Sequence, residues 1–172
     1  PTPIGAWPEL GATRFRVWAP DRTSVDLVLE LNARRDVRPL TPADRGYWQG
    51  TFADVHAGDR YRYRLDGHDG LTFPDPASRF QPGGVHGPSE VVNPAAFQWT
   101  DHNWRPPRRD DLVIYELHVG TFTPQGTFRG LIQRVPSLAQ LGLSAIHMMP
   151  VGDFPGHRNW GYDGVAIFAP AR

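Results

Sequence analysis

Backbone punctuation constrains this chain more than any other feature. Eighteen glycines and eighteen prolines interrupt 172 residues, about a fifth of the chain where roughly 12% is ordinary. Neither residue suits the interior of a long regular element, so the chain must fold as many short elements joined by turns.

Between those turns, residues 11–97 alternate. Phe15 and Val17 alternate with Arg14 and Arg16, and Val25, Leu27 and Leu29 with Asp26, Val28 and Glu30. Tyr61, Tyr63 and Leu65 alternate in the same way with Arg60, Arg62 and Arg64. A two-residue period places one set on an apolar face and the other in solvent, which predicts half-buried antiparallel strands. Turn signals at 19–22, 42–46, 57–59 and Asp66-Gly67-His68-Asp69-Gly70 end each strand early. About 100 residues of this pattern predict an all-β immunoglobulin-like sandwich, without the Cys–Trp–Cys marker of antibody domains. Trp18, Trp48, Trp99 and Trp104 could form a carbohydrate-stacking platform, or pack in the sandwich core and at a domain interface; Trp18, inside an alternating strand, is assigned to the core.

Residues 99–110 are polar, charged and proline-bearing, the composition of a linker. The predicted division is therefore a sandwich over 1–98, a linker over 99–110 and a second domain over 111–172. There the pattern changes. Leu112–Val119 is a nearly continuous apolar run, as in a strand covered on both faces. From Thr127, the apolar residues Phe128, Leu131, Ile132, Val135, Leu138 and Leu141 recur at helical spacing before Gly142. Pro136 inside that stretch predicts a kink or two shorter helices. A second strand follows at 144–150, so strand, helix and strand form a βαβ unit, the start of an α/β fold.

Eighteen basic and eighteen acidic side chains cancel, leaving no global field to attract nucleic acid or an anionic membrane. No segment approaches the roughly 18 apolar residues of a membrane span. The absence of cysteine excludes a disulfide scaffold, a thiolate zinc site and a cysteine nucleophile, and fits a reducing, cytoplasmic compartment. None of the seven histidines has a metal-ligand spacing, so neither metal nor cofactor is expected. Gly83-Gly84 lacks the Lys-Ser/Thr of a phosphate loop and reads as a turn. The N-terminal residues Pro1-Thr2-Pro3-Ile4 carry neither a starting Met nor a secretory pattern, which is expected of a chain that has been processed or cut from something longer.

Two groups of residues are candidates for chemistry. The loop Phe154–Gly164 carries Trp160, Tyr162 and Asp163 at the carboxyl end of a predicted parallel strand, where α/β folds place ligands. Flat rings beside a carboxylate suit a sugar, whose apolar face stacks while its hydroxyls donate hydrogen bonds. The alternative is a loop packed by its own aromatics with Asp163 turned to neighbouring backbone. Glu116 and His118 share a face by period two; a satisfied polar pair at a strand end is preferred over a catalytic pair.

The segment Phe15-Arg16-Val17-Trp18-Ala19-Pro20 resembles the opening strand of the immunoglobulin-like module of branching, debranching and trehalose-releasing members of the α-amylase superfamily. Tyr115 to Phe122 and Met149-Pro150-Val151 look like the first two strands of that superfamily's (β/α)8 barrel. Phe73-Pro74-Asp75-Pro76-Ala77-Ser78-Arg79-Phe80-Gln81-Pro82, Gly87-Pro88-Ser89 and the Phe154–Gly164 loop are similar to the maltooligosyltrehalose trehalohydrolase family. The resemblance implies a retaining glycosidase acting on α-1,4-glucan or maltooligosyl-trehalose, with Trp160, Tyr162 and Asp163 as substrate contacts. Residues 111–172 supply about a quarter of the roughly 250 residues of such a barrel, so the nucleophile and general acid are expected beyond Arg172. The remainder of the barrel is then the partner needed for a complete fold, and this chain alone is expected to be inactive. Other implied readings are a branching or debranching enzyme, or a stand-alone glucan-binding module using exposed aromatics such as Trp48.

Overall fold

The computed structural model describes residues 3–31, 34–68 and 70–172; Pro1, Thr2 and Asp69, named above, lie outside the described residues. The chain divides into two compact units, one of residues 1–96 with 152–156 and 164–172, the other of 97–151 with 157–163.

The first unit is a β-sandwich. Its strands are β1 (Gly5–Glu9), β2 (Ala12–Trp18), β3 (Val25–Leu31), β4 (Arg34–Pro39), β5 (Thr41–Ala43), β6 (Tyr47–Phe52), β7 (Arg60–Leu65), β8 (Thr72–Phe73) and β9 (Ser89–Glu90). One sheet runs β1-β2-β6-β5 and the other β4-β3-β7-β8, with β9 also on β7. The inward sets read from the alternation meet between them: Phe15 and Val17 from the first sheet, Val25, Leu27, Leu29, Tyr61 and Tyr63 from the second. Phe15 and Tyr61 touch edge to face, ring centroids 5.0 Å apart.

The Asp66-Gly67 pair makes the tight turn its sequence signals. Both residues have positive φ, 53° and 66°, and His68 N donates to Leu65 O at 3.2 Å, the pattern of a hairpin turn with the native twist. The Asp66 carboxylate accepts from Thr23 N at 2.7 Å and from Ser24 N at 3.3 Å, and these donors hold its pKa down at about 2.

Three departures from the sequence reading follow from where strands end and what lies beside them. Trp18 is not in the core; it is 61% exposed. It is the last residue of β2, and the period that buries Phe15 and Val17 turns it outward with Arg14 and Arg16. Trp48, opposite Val17, is half-buried against the core rather than exposed, its Nε1 donating to Ala19 O at 3.1 Å. Val28, expected in solvent, is buried between its register partners Val37 and Arg62.

Beneath the 73–89 segment lies a buried polar cluster. Asp75 is 2% exposed. It accepts from Tyr61 Oη at 2.7 Å, Tyr63 Oη at 3.4 Å and Ala77 N at 2.8 Å, while its own N–H donates to Ser89 Oγ at 2.9 Å. Burial drives both phenols and the carboxyl toward their neutral forms. Arg79, its guanidinium 3.7 Å above the Trp7 ring, donates to Ala6 O at 2.8 Å and ties this segment to β1.

The tail of the chain joins this unit instead of the second one. Strands β12 (Gly152–Asp153) and β13 (Ala166–Pro170) pair antiparallel, Ala166 and Ala169 pack with Val85, and Arg172 Nη1 donates to Pro82 O at 3.1 Å.

The second unit contains β10 (Ile114–Leu117), α1 (Val119–Phe122), α2 (Phe128–Gln140) and β11 (Ala145–Met148). β10 and β11 pair in parallel, as the βαβ reading requires. Thr127 caps α2, its side chain accepting from Gly130 N at 3.2 Å. At the other end Gly142, φ 87°, donates to Ala139 O while Leu143 N donates to Leu138 O, a Schellman closure. The helix runs through Pro136 in one piece, which removes the second of the two expected alternatives, a division into two shorter helices. Of its apolar stripe only Leu131 and Leu138 are buried, against Leu117 and Ile146; Ile132, Val135 and Leu141 are exposed, because two strands cover only the stripe's centre. Among the described residues no helix is long and apolar enough to cross a membrane.

Candidate functional site

β10 and β11 end side by side, and the ladder continues one step beyond them through Met149 N donating to Leu117 O at 2.9 Å. The helix-side face of the pair carries Tyr115, Leu117 and Ile146. Ile114, Glu116, Ala145 and His147 occupy the opposite face by alternation. Glu116 and His147 are register partners, Oε2 to Nδ1 2.8 Å, both well exposed. Glu116 is therefore satisfied across the strands, as a structural polar pair would be, but its partner is His147 and not His118. β10 has already ended at Leu117, so strand period does not reach His118.

The segment after β11 is shaped by one glycine and one asparagine. Gly161 is buried with φ 101°, and a Cβ there would overlap Pro150 O, so only glycine lets the backbone lie against the end of β11. Asn159 Oδ1 accepts from Gly161 N at 2.7 Å and Asp163 N at 3.2 Å, closing the turn. With that backbone held, its neighbours project outward: Trp160 is 71% exposed and Tyr162 72%. Asp163 is also exposed, and among the described residues its carboxylate accepts no hydrogen bond. The structure thus brings Trp160, Tyr162 and Asp163 onto one short turn, two flat rings and a carboxylate available to a ligand. It does not show the self-packed loop with Asp163 turned to backbone.

Likeness to known proteins bears on what that turn meets. Residues 3–81 match the family model of carbohydrate-binding module 48, the isoamylase N-terminal domain. Over 155 residues, 90% of this chain, the sequence is 49% identical to the malto-oligosyltrehalose trehalohydrolase of Saccharolobus solfataricus. The chain is similar to the N-terminal part of malto-oligosyltrehalose trehalohydrolases. It spans about a quarter of that relative's length, 27%. A Salmonella typhimurium crystal structure described as a candidate alpha amylase superposes with a TM-score of 0.88 at 41% identity, covering 98% of this chain and 28% of that one. A pullulanase from Anoxybacillus, solved with maltotetraose, gives 0.77 at 25% identity over 98% of this chain and 29% of its own.

In this trehalohydrolase-like chain, two features of the site escaped sequence reasoning. His118, half-buried at the mouth of β10, lies against Trp160, ring centroids 6.1 Å apart at 49°; 42 positions of chain separate them and no local pattern links them. The second is Asn159, whose side chain closes the turn; its signal in the sequence is an asparagine two residues before a glycine. Of the other tryptophans, Trp99 and Trp104 are exposed, Trp99 meeting Phe97 edge to face at 4.8 Å. No group of three or more metal-binding side chains occurs among the described residues.

Proposed function

We propose that this chain is the N-terminal part of a retaining, trehalose-releasing α-glucan hydrolase. In this reading residues 1–98 form its immunoglobulin-like sandwich and 111–172 open its (β/α)8 barrel. Trp160, Tyr162 and Asp163 contact a glucosyl unit of α-1,4-glucan or maltooligosyl-trehalose. The observation that carries the reading is the exposed Trp160–Tyr162–Asp163 turn at the carboxyl end of a parallel strand. It stands in a chain 49% identical to a trehalohydrolase and 25% identical to a pullulanase.

The chemistry divides between what these residues do and what they lack. Indole and phenol rings stack on the apolar face of a pyranose, and an unengaged carboxylate accepts its hydroxyls. Hydrolysis with retention needs two carboxyl groups about 5–5.5 Å apart. Glu116 is paired with His147, and in this reading, as the family resemblance implies, the nucleophile and general acid stand on later barrel strands outside residues 1–172.

The test is the open reading frame that contains this chain, expressed whole and given maltooligosyl-trehalose. Trehalose release, reduced at least tenfold in kcat/KM by Tyr162→Ala with the fold intact, is the expected result. Formation of new branch points without trehalose would overturn it in favour of a branching enzyme.

A second reading concerns the sandwich, which matches a carbohydrate-binding module and exposes Trp18. The Trp18 Nε1 is held by Arg45 O at 3.1 Å, which leaves the ring faces open for a glucan. Trp18→Ala should weaken maltoheptaose binding in calorimetry; unchanged heat would leave the sandwich a structural role.

A further inference from the structure

We propose that His118 belongs to the sugar-contacting surface, its Nε2 hydrogen-bonding a hydroxyl of the glucosyl unit stacked on Trp160; the proposal rests on the sugar-contact reading of the Trp160–Asp163 turn. The imidazole is held on three sides. The Trp160 ring lies against it at 6.1 Å between centroids. Thr121 Oγ1 is 3.2 Å from Nδ1. Gly120 leaves room for it, since a Cβ there would come within 3.0 Å of Cε1 and 3.5 Å of Nδ1. A half-buried ring fixed in this way is oriented before any ligand arrives.

The Thr121 contact engages one ring nitrogen and leaves the other toward a ligand. Thr121 Oγ1 engages Nδ1 at 3.2 Å, so that nitrogen is occupied within the protein in either tautomer. Nε2 is the nitrogen left for a ligand: among the described residues it has no hydrogen-bond partner, and a sugar hydroxyl can donate to it or accept from it. A pyranose laid on the Trp160 ring projects its equatorial hydroxyls sideways, and the imidazole stands close by, 6.1 Å between ring centroids. Gly120, Thr121 and Trp160 thus serve one end, a hydrogen-bonding nitrogen placed beside a stacking face.

The test is maltotetraose binding to the full chain, followed by calorimetry and by the indole N–H signals in NMR spectra. His118→Phe keeps a ring against Trp160 but removes both nitrogens; His118→Gln restores a hydrogen-bonding side chain. Trp160→Ala reports on the underlying reading. We expect Trp160→Ala to abolish binding. His118→Phe should weaken it about two- to tenfold, the value of one hydrogen bond, with the Trp160 indole signal unmoved, and His118→Gln should recover most of the loss. If His118→Phe binds as tightly as the parent while Trp160→Ala does not bind, His118 is no ligand contact and the sugar reading stands. If His118→Gln fails to recover affinity and both variants shift the Trp160 signal, His118 only packs, and the proposal is overturned. If the parent shows no saturable binding, or Trp160→Ala leaves it unchanged, the sugar reading falls and takes the proposal with it.

Discussion

Replacing Asp75 with alanine should destabilise the sandwich more than any other single polar change in it. The carboxylate is the acceptor for two phenols, Tyr61 at 2.7 Å and Tyr63 at 3.4 Å, both almost fully buried. Removing it strands both hydroxyls away from water, at about 1–3 kcal/mol for each unsatisfied group. The sum, about 2–6 kcal/mol, is a large part of the roughly 5–15 kcal/mol that holds a domain folded. With a urea slope of about 1–3 kcal/mol per molar, the unfolding midpoint should fall by on the order of 2 M. The assay is urea unfolding followed by near-ultraviolet circular dichroism of the tyrosines. Asp75→Asn, which keeps one acceptor oxygen and the side-chain shape, should lose less than half as much.

Asp75→Asn also carries a pH signature. Burial raises the Asp75 pKa from 3.8 despite the donors around it, so the folded state holds its proton more tightly than the unfolded chain. The associated stabilisation is fully present below 3.8 and is lost as pH rises through the elevated value. The parent should therefore lose stability over that window relative to Asp75→Asn. A midpoint unchanged in Asp75→Ala, or identical pH slopes for parent and Asp75→Asn, would refute the reasoning.

Three further outcomes are expected. Asp54 titrates at about 2, chiefly because Arg38 donates to it; in Arg38→Ala its carboxyl resonance should move up toward 3.8. The stabilisation from that pair is present above 3.8 and is lost as pH falls through about 2. Gly161→Ala forces a side chain to φ 101° and into Pro150 O, a local strain of about 1–3 kcal/mol. Limited proteolysis should then cut residues 157–163 faster while the sandwich stays resistant, and an unchanged cleavage rate would count against the described turn. Ile114, 60% exposed on the open face of β10, lies on a sheet that among the described residues has two strands and unpaired outer edges. Ile114→Lys should lower self-association in light scattering, whereas equal scattering from both chains would show that this face does not drive it.

The candidate site was legible in its members and not in its assembly. Trp160, Tyr162 and Asp163 stand together in sequence, so their chemistry could be read directly, and Asn159 and Gly161 are the residue types that turns recruit. His118 could be named but not placed. Its neighbour Trp160 follows α2 and β11 in the chain, and Glu116, two residues before it in β10, is satisfied by His147 only through the parallel register. Register is a property of two strands, and neither strand's pattern contains it.

By itself, the sequence determined whatever depends on a few adjacent residues. Alternation set which side chains of β2, β3 and β7 face inward, Asp66-Gly67 made its hairpin turn, and Thr127 and Gly142 bounded α2, because dihedral preference, side-chain period and capping act within a few residues. Only the tertiary structure decided burial where a strand ends or a neighbour covers it: Trp18 open, Trp48 half-covered, Val28 enclosed between Val37 and Arg62. The same holds for Asp75 beneath two tyrosines and for the tail 164–172 joined to the sandwich unit. Burial and polar satisfaction are set by whatever the rest of the chain brings alongside, and long-range pairing has no local signature for a sequence to carry.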